Sequence, residues 1–231
     1  MFIVIDGIDG SWKGTQVEIL RKHFESQGKK VKILDYPRYD HTSSFMVQKY
    51  LNWEYGKTLS PKLASIFYAI DRYDSMMDKK YVDFDEYDYI ISNRYVSASM
   101  IHQTGKIEND DEAKEFLDWL YDLEYNIFWI PMPDKVIFLN VTPEVSQKLV
   151  LQKEERNYLK GWKKMDLHEE DINHLQNAWK KAMKVVEMYD DWVKIDCVEN
   201  GEILPIEYIT QKILWEIAKQ EQSKNQTNLN I

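Results

Sequence analysis

Ten residues near the start of the chain, Gly7-Ile8-Asp9-Gly10-Ser11-Trp12-Lys13-Gly14-Thr15-Gln16, carry the groups needed to hold a polyphosphate. They lie between an apolar run, Phe2–Asp6, and an amphipathic stretch that begins near residue 14. In such a strand-to-helix turn, backbone N–H groups point inward at an anion and the helix start adds partial positive charge. Lys13 supplies a point charge where the β- and γ-phosphates would meet, and Thr15 offers a hydroxyl near a metal ion. A Mg2+ ion bridging the phosphate oxygens would spread the charge that develops during transfer. The bland reading is an ordinary glycine turn with Lys13 solvated; strand, loop and helix in this order favour the phosphate loop. The expected triphosphate cradle is therefore Gly7, Ile8, Asp9, Gly10, Ser11, Trp12, Lys13, Gly14 and Thr15, with Thr15 the metal candidate.

Further groups that could recognise a phosphorylated ligand recur after strand-like runs. Asp35-Tyr36-Pro37-Arg38-Tyr39 follows the second run, and Asn93-Arg94-Tyr95 the third. A guanidinium matches a phosphate as a bidentate fork. Tyr68 and Arg72 are four residues apart and share one helix face, so both can reach one ligand. Ser99, His102 and Gln103 lie one helical turn beyond Arg94. Residues 152–164 carry Lys153, Arg156, Lys160, Lys163 and Lys164 between two helical patterns. Taken singly each has a plainer role: a solvated arginine, a core tyrosine, a surface histidine, a solvated basic face.

The elements that must position these groups can be read from periodicity. Phe2–Asp6, Val31–Asp35, residues 89–92, Lys135–Asn140 and Trp192–Asp196 read as strands. Helical patterns fall near 14–28, 43–53, 60–80, 94–104, 111–126, 142–153, 167–189 and 205–220. Strands separated by helices of this length predict an α/β fold with an open parallel five-stranded sheet flanked by helices. The pattern predicts a single domain over 1–220, and a polar tail over 221–231 that is expected to be disordered. The chain has 231 residues, 44% of them hydrophobic and 30% charged, a globular balance. No apolar run approaches the ~20 residues of a membrane span, and the first residues lack the pattern of a signal peptide. The expectation is a cytoplasmic protein with no membrane contact. A formal net charge of -9 argues against nucleic acid as a partner. The lone Cys197 excludes an internal disulfide and reads as a buried strand end.

In order and spacing these motifs resemble those of the thymidylate kinases, over residues 2 to about 217. Lys13-Gly14-Thr15-Gln16 is the form of the phosphate loop found in nucleoside monophosphate kinases. The resemblance implies ATP and dTMP as substrates, dTDP as product, Mg2+ as cofactor, and a homodimer. It implies Lys13, Arg94 and Arg156 as catalytic residues, with Arg156 in a mobile lid at about 152–166. Tyr36, Arg38, Tyr68, Arg72, Arg94, Ser99, His102 and Gln103 would hold the acceptor nucleotide, and Asp9 would meet the deoxyribose 3′-hydroxyl. The attacking phosphate oxygen is already ionised, so no general base is needed. Two alternatives stay open: a kinase of another nucleoside monophosphate, and a nucleotide-binding protein with little turnover.

Several positions depart from the family pattern. Asn93 stands where the family most often has Asp. Trp12 occupies a loop position that calls for glycine, because a Cβ there crowds the phosphate or strains the backbone. Trp53, in Tyr50-Leu51-Asn52-Trp53-Glu54-Tyr55-Gly56, and Trp129, in Phe128-Trp129-Ile130-Pro131, also stand at family glycine positions. Trp162 sits in the expected lid, whereas Trp119, Trp192 and Trp215 lie inside elements. One explanation covers these departures: UGA codons that mean glycine, as in a few bacterial lineages, translated as tryptophan. The other is a real Trp12 in a damaged or repurposed loop.

Overall fold

The computed structural model describes residues 1–56, 59–158 and 172–229. The five apolar runs form β1 (Phe2–Asp6), β2 (Val31–Asp35), β3 (Tyr89–Asn93), β4 (Lys135–Asn140) and β5 (Trp192–Asp196). They make one parallel sheet in the order β2-β3-β1-β4-β5. Every residue of β1 is buried, since a central strand covered on both faces has no polar side to show. Phe2 and Val4 join a core with residues of helices on one face; Ile3 and Ile5 join a second core on the other.

The helices are α1 (Lys13–Ser26), α2 (Phe45–Leu51), α3 (Pro61–Met77), α4 (Val96–His102), α5 (Asp110–Tyr121), α6 (Pro143–Tyr158), α7 (Ile172–Met188) and α8 (Ile206–Leu229). Local chemistry sets their starts. The Ser60 side chain accepts from the Leu63 amide, with Pro61 at the first helical position. Asn109 caps α5, and Asp110, Asp111 and Glu112 complement the positive helix end. A π-helical turn, Asp122–Ile127, extends α5. α1 and α8 pack on one face of the sheet; α4, α5 and α7 pack on the other.

The sheet order reverses direction at β1. In an open parallel sheet that reversal leaves a crevice beyond the carboxyl ends of the strands. The loops after β1, β2 and β3 open there, so residues 7–12, 36–39 and 94–95 meet although they are far apart in sequence.

The α/β sheet flanked by helices is as expected from the sequence, but three local readings change. Residues 221–229, expected as a polar tail, belong to a helix, since α8 continues to Leu229. Its last turns hold no Gly or Pro, and Glu, Gln and Lys propagate a helix already nucleated by packing. The Tyr89 hydroxyl donates to Glu221, and Lys224 pairs with Asp134 at 2.5 Å, tying this segment to the sheet. A small hairpin, β6 (Val198–Glu199) with β7 (Glu202–Ile203), turns on Asn200-Gly201, both at positive φ, a signal the periodicity reading passed over. The first part of the expected lid is helical, because α6 runs to Tyr158; residues 159–166, Trp162 among them, lie outside the described residues.

Cys197 is buried, and burial pushes its thiol up to about 12. The thiolate, the reactive form, is therefore scarce at neutral pH. Iodoacetamide at about pH 8 should leave the native protein unlabelled and label it once unfolded; rapid labelling of the native protein would contradict this burial.

Candidate active site

A cavity of about 730 Å³ opens at the carboxyl ends of β1, β2 and β3, the size of a nucleotide-binding cleft. Its floor at one end is the loop after β1. Gly10, at φ +76°, is required there: a Cβ would lie 2.6 Å from the Ser146 carbonyl oxygen. The Asp6 carboxylate anchors the loop, accepting from the Gly7 amide at 2.8 Å and from the Ser97 hydroxyl. Burial pushes the Asp6 carboxyl up, opposed by the charges of Arg94 and Lys13.

Lys13 is 7% exposed and lines the cavity. Its Nζ donates to the carbonyls of Gly7 (2.9 Å) and Ile8 (2.8 Å) and to Ser11 Oγ (3.3 Å). The positive charge thus sits inside the loop, where an entering phosphate would replace those weaker acceptors. Gly14 and Thr15 are exposed and line the same space. Gly7 and Ile8 shape the loop from beneath and do not line it.

Arg94 lines the same cavity as Lys13. It too has a left-handed backbone, φ 64°, with its amide bonded to the Ile5 carbonyl; strain of this kind gathers at functional sites. Its guanidinium pairs with Asp9 and donates from Nη1 to His102 Nε2 at 2.9 Å. His102 therefore accepts through Nε2 and orients the arginine. Asp9, expected to meet a sugar hydroxyl, is engaged with Arg94 in this structure.

Arg38 departs from expectation. It is 5% exposed, bound to Asp71 at 3.0 Å and Asp74 at 2.6 Å, and does not line the cavity. The carboxylates, Asp71 above all, come from α3 and neutralise the charge the sequence offered to a phosphate. The side chain of Arg156 lies outside the described residues.

Tyr36, Tyr68, Arg72, Ser99, His102 and Gln103, which the family resemblance implied for the acceptor nucleotide, all line the cavity. Arg72 is 1% exposed, and four of its five N–H groups are placed by hydrogen bonds. Nε and Nη2 fork onto the Glu124 carboxylate (Nε to Oε2 2.8 Å), Nη2 also meets Ser99 Oγ at 3.2 Å, and Nη1 meets the Tyr95 carbonyl at 3.2 Å. The remaining Nη1 hydrogen is the one this arginine can offer to a ligand.

Glu124 is the residue sequence reasoning missed. It is wholly buried, in the π-helical turn after α5, and lies 52 residues from its partner. One acidic residue in an acidic helix gives no local signal; only the fold pairs it with Arg72.

The cavity also holds oxygen donors suited to Mg2+. The Asn93 Oδ1 is buried without a hydrogen-bond partner, while its Nδ2 donates to Asp35 at 2.8 Å. Asn93, Asp35 and the Thr15 hydroxyl all line the cleft. Among the described residues no group of three His, Cys, Asp or Glu could hold a metal.

A family model described as thymidylate kinase matches residues 5–204, a span that contains the loop, both arginines and the base-side wall. The chain belongs to the thymidylate kinase family. It is an enzyme of that family's reaction, the ATP-dependent phosphorylation of dTMP to dTDP. It is 28% identical over 148 residues to the thymidylate kinase of Mycobacterium tuberculosis, covering 63% of this chain and 68% of that one. The probable thymidylate kinase of Methanosphaera stadtmanae is 24% identical over 213 residues, covering 92% and 97%. The structure of thymidylate kinase from Candida albicans matches with a TM-score of 0.66 at 20% identity, over 96% of this chain and 92% of that one. At that identity the last likeness concerns the fold, and it spans the sheet and the helices that frame the cleft.

Proposed function

We propose that the triphosphate of ATP lies along residues 7–15 and dTMP lies between Tyr68 and Arg72, with its phosphate against Arg94. The observation that carries this reading is the single cavity that joins Lys13, Arg94 and Arg72. Lys13 leaves the loop carbonyls for the transferred phosphate, and Arg94 is held on its far side by Asp9 and His102. Mg2+, when bound, neutralises phosphate charge; Thr15, Asn93 and Asp35 are the residues that would hold it and its waters. His102, beside the sugar, disfavours a ribose 2′-hydroxyl. Residues 152–166 act as the lid, with Arg156 brought over the phosphates to exclude water.

The remaining N–H of Arg72 meets the carbonyl at C4 of the pyrimidine. dCMP carries an amino group there, so two donors would face each other. Losing a bond to a charged donor costs about 1.5–3 kcal/mol, or roughly 10–100-fold in kcat/KM. A coupled assay of ADP release should rank dTMP above dCMP and AMP, with dUMP sharing the C4 contact. Run on the Trp12 protein and on Trp12→Gly, the same assay separates the alternatives. A preference for dCMP or AMP would assign a different acceptor. ATP binding with no turnover in either form would leave a binding protein.

A homodimer is part of the same proposal. Leu63, Ile70, Tyr73 and Met77 recur on one face of α3 and are exposed, and Ile127 adds to the exposed apolar residues. We place the reaction in the cytoplasm, where nucleotide substrates are free; among the described residues no helix is long and apolar enough to cross a membrane.

A further inference from the structure

Among the described residues, five that are not glycine have a positive φ: Trp12 (61°), Trp53 (63°), Arg94 (64°), Trp129 (54°) and Asn200 (52°). Asn tolerates this region, and Arg94 sits at the active site; the other three are tryptophans. A bulky side chain in the left-handed region is an outlier, because its Cβ crowds the following carbonyl. From these positions we propose that residues 12, 53 and 129 are glycine in the protein as its own cells make it, encoded by UGA codons read there as glycine.

Position 53 has an internal control. After α2, the Glu54 amide bonds the Lys49 carbonyl at 3.0 Å and the Trp53 amide bonds the Tyr50 carbonyl at 3.1 Å. After α1, the Lys29 amide bonds the Phe24 carbonyl at 3.1 Å and the Gly28 amide bonds the Glu25 carbonyl at 2.9 Å. These are the same helix-ending motif, in which one residue must turn left-handed and glycine does so without a Cβ penalty. At α1 that residue is Gly28, φ 77°; at α2 it is Trp53.

Position 129 repeats the argument at the end of the π-helical turn. Phe128 is still right-handed, Trp129 turns left, and the buried Ile130 donates its amide back to the Glu124 carbonyl at 3.2 Å. The backbone there needs the turn, whereas the indole is 81% exposed and leaves its large apolar area in water. Position 12 is the residue before Lys13, left-handed at φ 61°, ψ 20°, and gives α1 no side-chain cap. A glycine there completes the phosphate loop with a free approach to its N–H groups.

Composition points the same way. The chain has eight glycines in 231 residues, about half the usual share of ~7%, and as many tryptophans. Other tryptophans are used as tryptophan. Trp179 Nε1 donates to Asn140 Oδ1 at 2.7 Å, Trp192 is buried in β5, and Trp119 packs on Phe116.

Reading the gene's codons tests this independently of the reaction proposed above. UGA is expected at 12, 53 and 129, and UGG at 119, 179 and 192. UGG at any of the first three overturns the proposal for that position, as would peptide masses carrying tryptophan there in protein from its own cells. The physical premise has a separate readout in recombinant protein. Trp53→Gly and Trp129→Gly should each raise Tm by ~2–4 °C as left-handed strain is released, and a fall in both would remove the premise. Trp12→Gly should raise kcat/KM at least tenfold with ATP and dTMP; no gain there would separate the loop's competence from the identity of residue 12.

Discussion

Lys13→Ala should lower kcat for phosphoryl transfer by at least ~10³-fold while leaving dTMP affinity within about twofold, since removing one preorganised donor alone costs 10²–10³. In the proposed arrangement Lys13 brings a full charge to the ATP end of the cleft, while Tyr68, Arg72 and Arg94, which line the same cavity, would hold the acceptor nucleotide at the other end. The measurement is steady-state turnover beside calorimetric binding of dTMP. Stability must be followed too, because Lys13 Nζ satisfies the Gly7 and Ile8 carbonyls. Leaving buried acceptors unmet costs about 1–3 kcal/mol, so assays belong well below the variant's Tm. If turnover survived in a folded variant, the loop would not be the phosphate cradle.

Glu124→Ala should destabilise the protein by about 3–5 kcal/mol, since it strands the wholly buried Arg72 without its counter-charge. For a chain of this size that is roughly a 6–20 °C fall in Tm. Burial opposes the charge of both groups, and each group's charge favours the other's, so the pair stands or falls together. Replacing both partners with apolar side chains, Arg72→Met with Glu124→Leu, should recover most of the lost stability, because neither charge is then stranded. The double variant should still have a KM for dTMP raised by roughly 10–100-fold, the worth of one charge-assisted bond. A double variant with normal KM would make the pair structural only.

These two expectations rest on different kinds of information. The phosphate loop could be read from ten consecutive residues because its chemistry is local: glycines, lysine and hydroxyl at fixed spacing after an apolar strand. The five strands were legible for the same reason, since a sheet covered on both faces demands short unbroken apolar runs. The base-side wall was legible residue by residue through its resemblance to the thymidylate kinases, and Tyr68, Arg72, Ser99 and Gln103 do line one cavity.

Charge pairing was not legible. Arg38 and Arg72 look alike in sequence, each an arginine beside a strand or on a helix. The fold sets Arg38 against Asp71 and Asp74 outside the cavity, and sets Arg72 against Glu124 with one N–H left over. The contacts at the end of α8 were not legible for a related reason: its composition is polar, and only the fold brings Asp134 and Tyr89 beside it.

The order of residues by itself determined the class of fold, the phosphate loop and the family, because each depends on neighbours within a turn or a strand. Only the tertiary structure decided that Arg72, paired with Glu124, reaches the cavity while Arg38 is spent on Asp71 and Asp74 outside it. It also showed that Trp12, Trp53 and Trp129 share one backbone geometry. Electrostatic partners are properties of position in space, and spacing along the chain does not encode them.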